Sequence, residues 1–121
     1  MTYDPNNIFA KIIRGDIPCK KAYEDDHVLA FHDIHPQAPV HILVIPKGAY
    51  KDIGDFSTRA SADEMAALTR AIGKVVGDAG VDKTGYRVLS NCGVNGGQEV
   101  PHLHFHVVGG RKLGRMLAAA E

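Results

Sequence analysis

Residues 101–108 read Pro-His-Leu-His-Phe-His-Val-Val, and the rest of the chain is interpreted from this stretch. Side chains alternate across a β-strand, so an extended conformation places His102, His104 and His106 on one face. The opposite face carries the apolar residues of the stretch, namely Leu103, Phe105 and Val107. A solvent-facing polar face is the alternative, but ordinary strands fill such a face with Thr, Lys, Glu or Ser. The pattern therefore favours a strand with one core face and one functional face.

The three histidines allow two kinds of chemistry, metal binding and catalysis. Along a strand, His102 and His106 lie about 13 Å apart, too far for three rings to share one zinc ion easily. Imidazole is neutral and nucleophilic near pH 7, and repulsion between crowded rings disfavours protonation of any one of them. We therefore expect His104 to attack an anionic phosphorus centre without a metal or other cofactor, and a zinc-binding regulator is the open alternative.

His41 is a fourth candidate for the same site. It lies in the apolar run 40–45, where a single histidine is more often structural than catalytic. Titratable groups cluster at functional sites, so the three other histidines favour a catalytic role for His41.

A glycine-rich segment, 91–99, comes just before the histidines. Its glycines allow positive φ, and successive N–H groups in such a loop can form an anion nest. Asn95-Gly96 is also typical of a plain hairpin turn, which is the alternative. A phosphate-binding loop beside a phosphorus nucleophile is the more coherent interpretation.

A second candidate segment is Phe31-His-Asp-Ile34. The Asp33 carboxylate could accept hydrogen bonds from both ribose hydroxyls, and Phe31 and Ile34 could sandwich a base. Taken alone, these residues favour the alternative, a loop-capping aspartate between core residues.

The remaining pattern predicts an α+β domain. Three helical patterns and five strands are expected: helix 8–14, strands 20–24, 27–32 and 40–45, a long helix from Ser61 to Gly80, strands 85–91 and 102–108, and a short helix or frayed end over 111–121. Ser61 and Glu64 form a capping box for the long helix. Short connections favour a largely antiparallel sheet with its helices on one side, and strand 40–45 is expected to be covered on both faces.

Composition sets limits on the function. The 121 residues carry 14 basic and 14 acidic side chains, so a nucleic-acid backbone or an anionic membrane is not expected as the main partner. Two cysteines, the lack of a signal-peptide pattern and the short apolar runs predict a cytoplasmic protein. The whole chain, 1–121, is interpreted as one domain with a core at about 7–111 and a tail at 112–121.

Several ordered segments together resemble the histidine-triad family of nucleotide-binding proteins, in particular its Hint-like nucleoside phosphoramidases. The resemblance runs from about Asn7 to Arg111. It rests on the triad at 102–108 and on five other segments: Ile8 to Pro18, Phe31 to Ile34, Pro36 to Pro39, His41 with Val44 to Lys47, and Gly96 to Gln98.

The resemblance implies roles for particular residues. His104 would form a transient nucleotidyl-histidine, while His102, His106 and His41 would orient it, bind phosphate oxygens and help the leaving amine depart. The implied nucleotide contacts are Phe31, His32, Asp33, Ile34, Asn91, Gly97, Gln98, Glu99, His104, Phe105 and His106. Glu99 and Pro101 depart from the family pattern, and we expect Glu99 to point away from phosphate or to bind the leaving amine.

The resemblance also implies an architecture and an activity. The fold would be a five-stranded antiparallel sheet with one long and one short helix, paired as a homodimer into a continuous ten-stranded sheet. The activity would be hydrolysis of purine nucleoside 5′-phosphoramidates. A nucleotide-binding regulatory module with little turnover and a dinucleoside polyphosphate hydrolase are the alternatives.

Overall fold

The computed structural model describes residues 2–118. In chain order, its elements are α1 Ile8–Ile13, β1 Lys21–Glu24, β2 Val28–His32, β3 Val40–Pro46, α2 Ile53–Arg59, α3 Ala62–Asp78, β4 Tyr86–Leu89, α4 Gly93–Gly96 and β5 Phe105–Gly109. The α+β class and the five predicted strands are confirmed. Within residues 2–118, no helix is long and apolar enough to cross a membrane.

One antiparallel sheet holds all five strands, in the order β1-β2-β3-β5-β4. β5 therefore lies between β3 and β4, although it is last in the chain. In this register His41 of β3 is opposite Val108 of β5, and Leu43 is opposite His106. The sheet thus brings His41 and His106, which are distant in sequence, onto adjacent strands.

Both faces of the sheet are covered, as predicted for β3. Ile42 and Val44 belong to the cluster under α3, while Leu43 and Ile45 pack with Phe9 of α1 on the opposite face. The expectation that the helices lie on one side is therefore wrong, because the apolar side of α1 needs its own partner surface. We call the two surfaces the α3 face and the α1 face.

The helix signals in the sequence are largely confirmed. Asn7 caps α1, and Ser61 with Glu64 forms the predicted capping box of α3. Two short helices, α2 and α4, were not predicted. α2 begins at an Asp52 cap and buries only Phe56, so its apolar periodicity is weak.

The last strand begins at Phe105 rather than at residue 102. Phe105 pairs with Val44 of β3, and two residues further along β3 is Pro46, which has no N–H to continue the ladder. Residues 102–104 still alternate in direction, since Leu103 packs in the α3-face cluster while His102 and His104 contact Phe9. The predicted alternation is confirmed, although the strand is shorter.

The tail was predicted to be a short helix or a frayed end. Residues 111–118 form no helix in the structure. The remainder of that prediction, residues 119–121, lies outside the described residues.

Candidate active site

His104 has one free ring nitrogen. Its Nδ1 lies 2.7 Å from the carbonyl oxygen of His102, so we infer that Nδ1 carries the proton and donates to that carbonyl. The residue is 5% exposed and its ring packs edge-on against Phe9 at 4.9 Å between centroids. Within residues 2–118 its Nε2 makes no hydrogen bond, and it is not among the nitrogens sealed from solvent. His104 therefore presents an unprotonated Nε2 towards solvent from a fixed ring.

His102, in contrast, is completely buried. Tyr3 Oη donates to its Nδ1 at 2.6 Å, and its Nε2 donates to the carbonyl of Pro46 at 2.8 Å. Both ring nitrogens are thus occupied, so the ring has no free atom for a phosphate oxygen or a leaving amine. His102 therefore does not fit the expected roles of binding phosphate or assisting the leaving amine. Its backbone carbonyl does fit the third expected role, which is to orient His104.

His41 and His106 are joined by a hydrogen bond whose direction is set by the backbone. The amide of Gln37 donates to His41 Nδ1 at 3.1 Å, which leaves the proton of the neutral ring on Nε2. That Nε2 lies 2.9 Å from His106 Nδ1 and 3.5 Å from an Asp33 carboxylate oxygen. We infer that His41 donates to His106 Nδ1, so that the proton of His106 is on Nε2.

The Nε2 of His106 has no partner. It is the one buried side-chain nitrogen or oxygen between residues 2 and 118 that lacks a hydrogen bond. An unsatisfied buried donor costs free energy and is uncommon without a functional reason. The ring lies 5.1 Å from that of His104 between centroids, so this N–H lies beside the candidate nucleophile, although solvent does not reach it in the free chain.

Burial favours the neutral form of His102, His104 and His106. It lowers the pKa of His102 and of His106 to about 4, and it also lowers the pKa of His104. Repulsion from neighbouring rings contributes less to the pKa shifts of His102 and His106, so the predicted direction is right but its main cause is desolvation. The hydrogen bond to the His102 carbonyl and the charges of Asp33 and Glu99 act in the opposite sense on the pKa of His104.

A cavity of about 340 Å³ lies on the other side of His41 and is lined by His32, Asp33 and Ile34. The Asp33 side chain is 21% exposed, and one of its oxygens accepts from the His35 amide. Ile34 is 82% exposed, so it is available to an apolar ligand surface. The structure therefore brings three of the four residues predicted for nucleoside contact to one opening.

Two predicted nucleotide contacts take other positions. Phe31 is buried and packs against Phe9 in the core, so it is not free to sandwich a base with Ile34. Phe105 packs on the α3 face, which is the side of the sheet away from the histidines. Strand alternation requires this position, because Phe105 lies between His104 and His106.

The glycine-rich segment forms one helical turn, α4, followed by Gly97 with φ of 75°. The amides of Gly97 and Gln98 donate to Val94 and Gly93 within the loop, so they are not free to form the predicted anion nest. The Gln98 side chain fastens the loop by donating to the carbonyls of Lys51 and Val100. Glu99 is exposed, and Asn91 lies beside His106 in a separate cavity.

Asp33, His41 and His106 could hold a metal ion on distance alone, since their donor atoms lie within 4.8 Å of one another. Zinc would need the lone pair of His41 Nε2. The Gln37 amide donates to Nδ1, so the ring proton is on Nε2 and the Nε2 lone pair is not free for a metal ion. This hydrogen bond therefore disfavours metal ligation by His41. The hydrogen-bond pattern thus favours a catalytic over a metal-binding arrangement.

Sequence reasoning missed four residues that support the site. Phe9 packs on the His104 ring, Tyr3 caps His102, the Gln37 amide orients His41, and Ser90 Oγ donates to the His104 carbonyl at 2.7 Å. Each of these contacts joins segments that are distant in the sequence or involves a backbone atom, so side-chain patterns in the sequence do not predict it. Phe9 and Gln37 belong to segments that resemble the family, but no local pattern predicts their contacts.

His102, His104 and His106 thus follow one another on the α1 face of an α+β sheet, and His41 on the adjacent strand is bonded to His106. This arrangement is the one expected of a histidine-triad protein. The family model for the HIT domain matches residues 14–113, and the chain belongs to this family.

Relatives agree with this assignment along nearly the whole chain. An uncharacterised HIT-like protein of Azospirillum brasilense is 65% identical over 116 residues, covering 96% of this chain and 95% of that protein. A protein of Escherichia coli named purine nucleoside phosphoramidase is 47% identical over 114 residues, covering 92% of each chain. A solved HIT family hydrolase of Clostridium thermocellum is 41% identical with a TM-score of 0.86, covering 93% of this chain and 97% of that one.

Proposed function

We propose that this chain hydrolyses purine nucleoside 5′-phosphoramidates, cleaving the P–N bond through a nucleotidyl intermediate on His104. The observation that carries the proposal is the free Nε2 of His104, whose ring is fixed by the His102 carbonyl. The name of the E. coli relative supports an amine as the leaving group.

In the first step, the lone pair of His104 Nε2 forms a bond to phosphorus and the P–N bond breaks. The phosphorylated ring becomes cationic, and its Nδ1–H already donates to the His102 carbonyl, which stabilises the positive charge. The departing nitrogen takes up a proton and leaves as the amine. His106 Nε2–H, which has no partner in the free protein, donates to a phosphoryl oxygen or to this nitrogen.

In the second step, water attacks phosphorus, the bond to Nε2 breaks and His104 returns to its neutral state. Water releases one proton, which balances the proton gained by the amine. The products are a nucleoside monophosphate and a free amine. His41 holds the His106 ring in the donating tautomer during both steps, so its role is positioning rather than contact.

The nucleoside would occupy the cavity beside Asp33. A carboxylate at its mouth can accept hydrogen bonds from vicinal hydroxyls, and the exposed Ile34 gives an apolar surface for a base. His32 lies at the same opening and completes the proposed contacts.

The test is release of AMP from adenosine 5′-phosphoramidate by the parent chain, by His104→Ala and by His27→Ala. His27 is an exposed histidine outside the site and serves as the matched control. We expect turnover by the parent and the control, with a loss of at least about 1000-fold in His104→Ala, as is typical when a nucleophile is removed. Equal AMP release from His104→Ala would contradict the mechanism.

The same assay separates the alternatives. Tight AMP binding without turnover of any substrate would favour the regulatory module. Faster cleavage of diadenosine polyphosphate than of the phosphoramidate would favour the dinucleotide hydrolase.

We also propose a homodimer that joins two β4 strands into a ten-stranded sheet. β4 is an edge strand with Tyr86 and Val88 exposed, and an apolar groove of about 350 Å³, lined in part by Met65 and Phe105, lies on the same face. Unpaired edges beside apolar surface favour association. Val88→Asp should yield a monomer in analytical ultracentrifugation, while Val94→Asp on the exposed α4 turn should not. A parent chain that sediments as a monomer would contradict the dimer.

The cytoplasm is the proposed location. Cys19 and Cys92 are free thiols, which suits a reducing compartment. Cell fractionation checks this, and recovery of the native protein in an exported fraction would contradict it.

A further inference from the structure

A second cavity, of about 210 Å³, lies on the α1 face of the sheet beside the histidines. His41 and Asn91 line it together with His106, and two arginines, Arg87 of β4 and Arg111 after β5, line its other side. We call it the arginine cavity. The mechanism uses neither arginine, so their presence needs a separate explanation.

Both guanidinium groups are oriented by backbone carbonyls. Arg87 donates to the carbonyls of Gly114 and Arg115 at 2.9 and 3.2 Å, and Arg111 donates to those of Gln37 and Lys112 at 3.0 and 2.8 Å. A guanidinium has five N–H groups, so each arginine keeps donors for a ligand.

Neither arginine has a counterion in the described part of the chain. The ion pairs among residues 2–118 join other side chains, and none involves Arg87 or Arg111. Two fixed cations beside one small cavity attract an anion, and the planar guanidinium fits a carboxylate especially well.

The position of the arginine cavity relates it to the reaction. His41 lines both this cavity and the one at Asp33, and His106 lines this one, so the bonded pair His41–His106 lies at the boundary between the two cavities. If the nucleoside occupies the Asp33 side, the group that leaves phosphorus can extend into the arginine cavity. With about 210 Å³, that cavity is smaller than the usual range for drug-sized ligands, and it suits a small group rather than a second nucleoside.

We propose that Arg87 and Arg111 form an anion subsite that selects a leaving amine carrying a carboxylate, as in a nucleoside phosphoramidate of a small amino acid. This inference rests on the proposed function and names the substrate class of the same site. The carboxylate makes charge-assisted hydrogen bonds to the guanidinium groups, while the amine nitrogen remains on phosphorus near His106.

Matched substrates test the subsite. Adenosine 5′-phosphoramidates of glycine, β-alanine and γ-aminobutyrate are compared with the corresponding carboxamides, which have nearly the same shape without the charge. We expect the best carboxylate to exceed its carboxamide about tenfold or more in kcat/KM, the scale of one or two hydrogen bonds to a charged group. Arg87→Gln and Arg111→Gln should each remove most of this preference and leave the rate on unsubstituted phosphoramidate unchanged.

Two further variants serve as controls. Lys112→Gln removes an exposed cation that does not line the cavity and should keep the preference. Arg87→Lys retains the charge and should keep part of it. Equal or faster cleavage of the carboxamides by the parent would overturn the subsite, while AMP release would still support the proposed function.

Binding separates failure of the subsite from failure of the chemistry. Titration of His104→Ala with the glycine conjugate and its carboxamide should show tighter binding of the carboxylate, independently of turnover. No AMP from any substrate, together with this binding preference, would reject the proposed function and retain the subsite. Equal binding of the two compounds by this variant would reject the subsite.

Discussion

A hydrogen bond of 2.9 Å joins Nε2 of His41 to Nδ1 of His106, although the two residues are 65 positions apart in the chain. The bond exists because β3 and β5 are neighbours in the sheet, and the Gln37 amide sets its direction. One backbone N–H thus determines which nitrogen of His106 carries a proton towards the ligand.

Removing this bond should reduce catalysis without abolishing it. In His41→Leu, His106 loses the partner that holds its tautomer, and we expect kcat to fall about 10- to 100-fold, with a smaller change in KM. Steady-state kinetics on adenosine 5′-phosphoramidate measures both quantities. The exposed His27→Asn is the control, and a change confined to KM would contradict the positioning role.

Tyr3→Phe should destabilise the fold. The variant leaves Nδ1 of the fully buried His102 without a donor, which costs about 1–3 kcal/mol in the free energy of unfolding. Urea unfolding at pH 8 measures this loss. Tyr86→Phe, on the exposed side of β4, should stay within about 0.5 kcal/mol of the parent. An unchanged unfolding midpoint for Tyr3→Phe would show that the hydrogen bond contributes nothing.

Stability should fall in mild acid. The pKa of His102 is about 4 in the folded chain against an ordinary value of 6.5, so folding favours the neutral ring. The stability that His102 contributes is complete above pH 6.5 and is lost as the pH falls towards 4. By pH 5 the loss in the free energy of unfolding is about 2 kcal/mol. The free energy of unfolding, measured at pH 8, 6 and 5, should fall with pH in this way.

A variant checks the origin of this fall in stability. His102→Gln should reduce this pH dependence and leave the part that comes from His106 and His104, while the exposed His35→Asn should not change it. A parent chain equally stable at pH 8 and pH 5 would contradict the assignment.

The acid limb of the activity profile should lie below pH 6.5. Protonation of Nε2 removes the nucleophile, and burial lowers the pKa of His104, so the active form persists into mild acid. The Glu99 charge favours the protonated ring, and Glu99→Gln should therefore move the limb to still lower pH. The pH dependence of kcat/KM measures both effects, with Asp63→Asn on α3 as the control. A shift to higher pH in Glu99→Gln would contradict the electrostatic role of Glu99.

Local patterns predicted much of the fold. The capping box at Ser61 and the alternation through residues 102–108 are short-range features, and each is present in the structure. The start of β5 at Phe105 could not be predicted from local sequence, since it depends on Pro46 in a different strand.

The candidate site was also predictable only in part from the sequence. The sequence singled out His104, His106 and His41, but it could not distinguish the free Nε2 of His104 from the occupied nitrogens of His102. It also assigned Phe31 to the base, although the approach of α1 places Phe31 in the core.

The sequence by itself determined the α+β class, the central apolar strand and a row of three imidazoles, because side-chain periodicity along one strand depends only on neighbours in the chain. The tertiary structure decided which imidazole is sealed, which is oriented and which is free. It did so because hydrogen-bond partners such as Tyr3, Pro46 and Gln37 reach the histidines only when distant segments pack together.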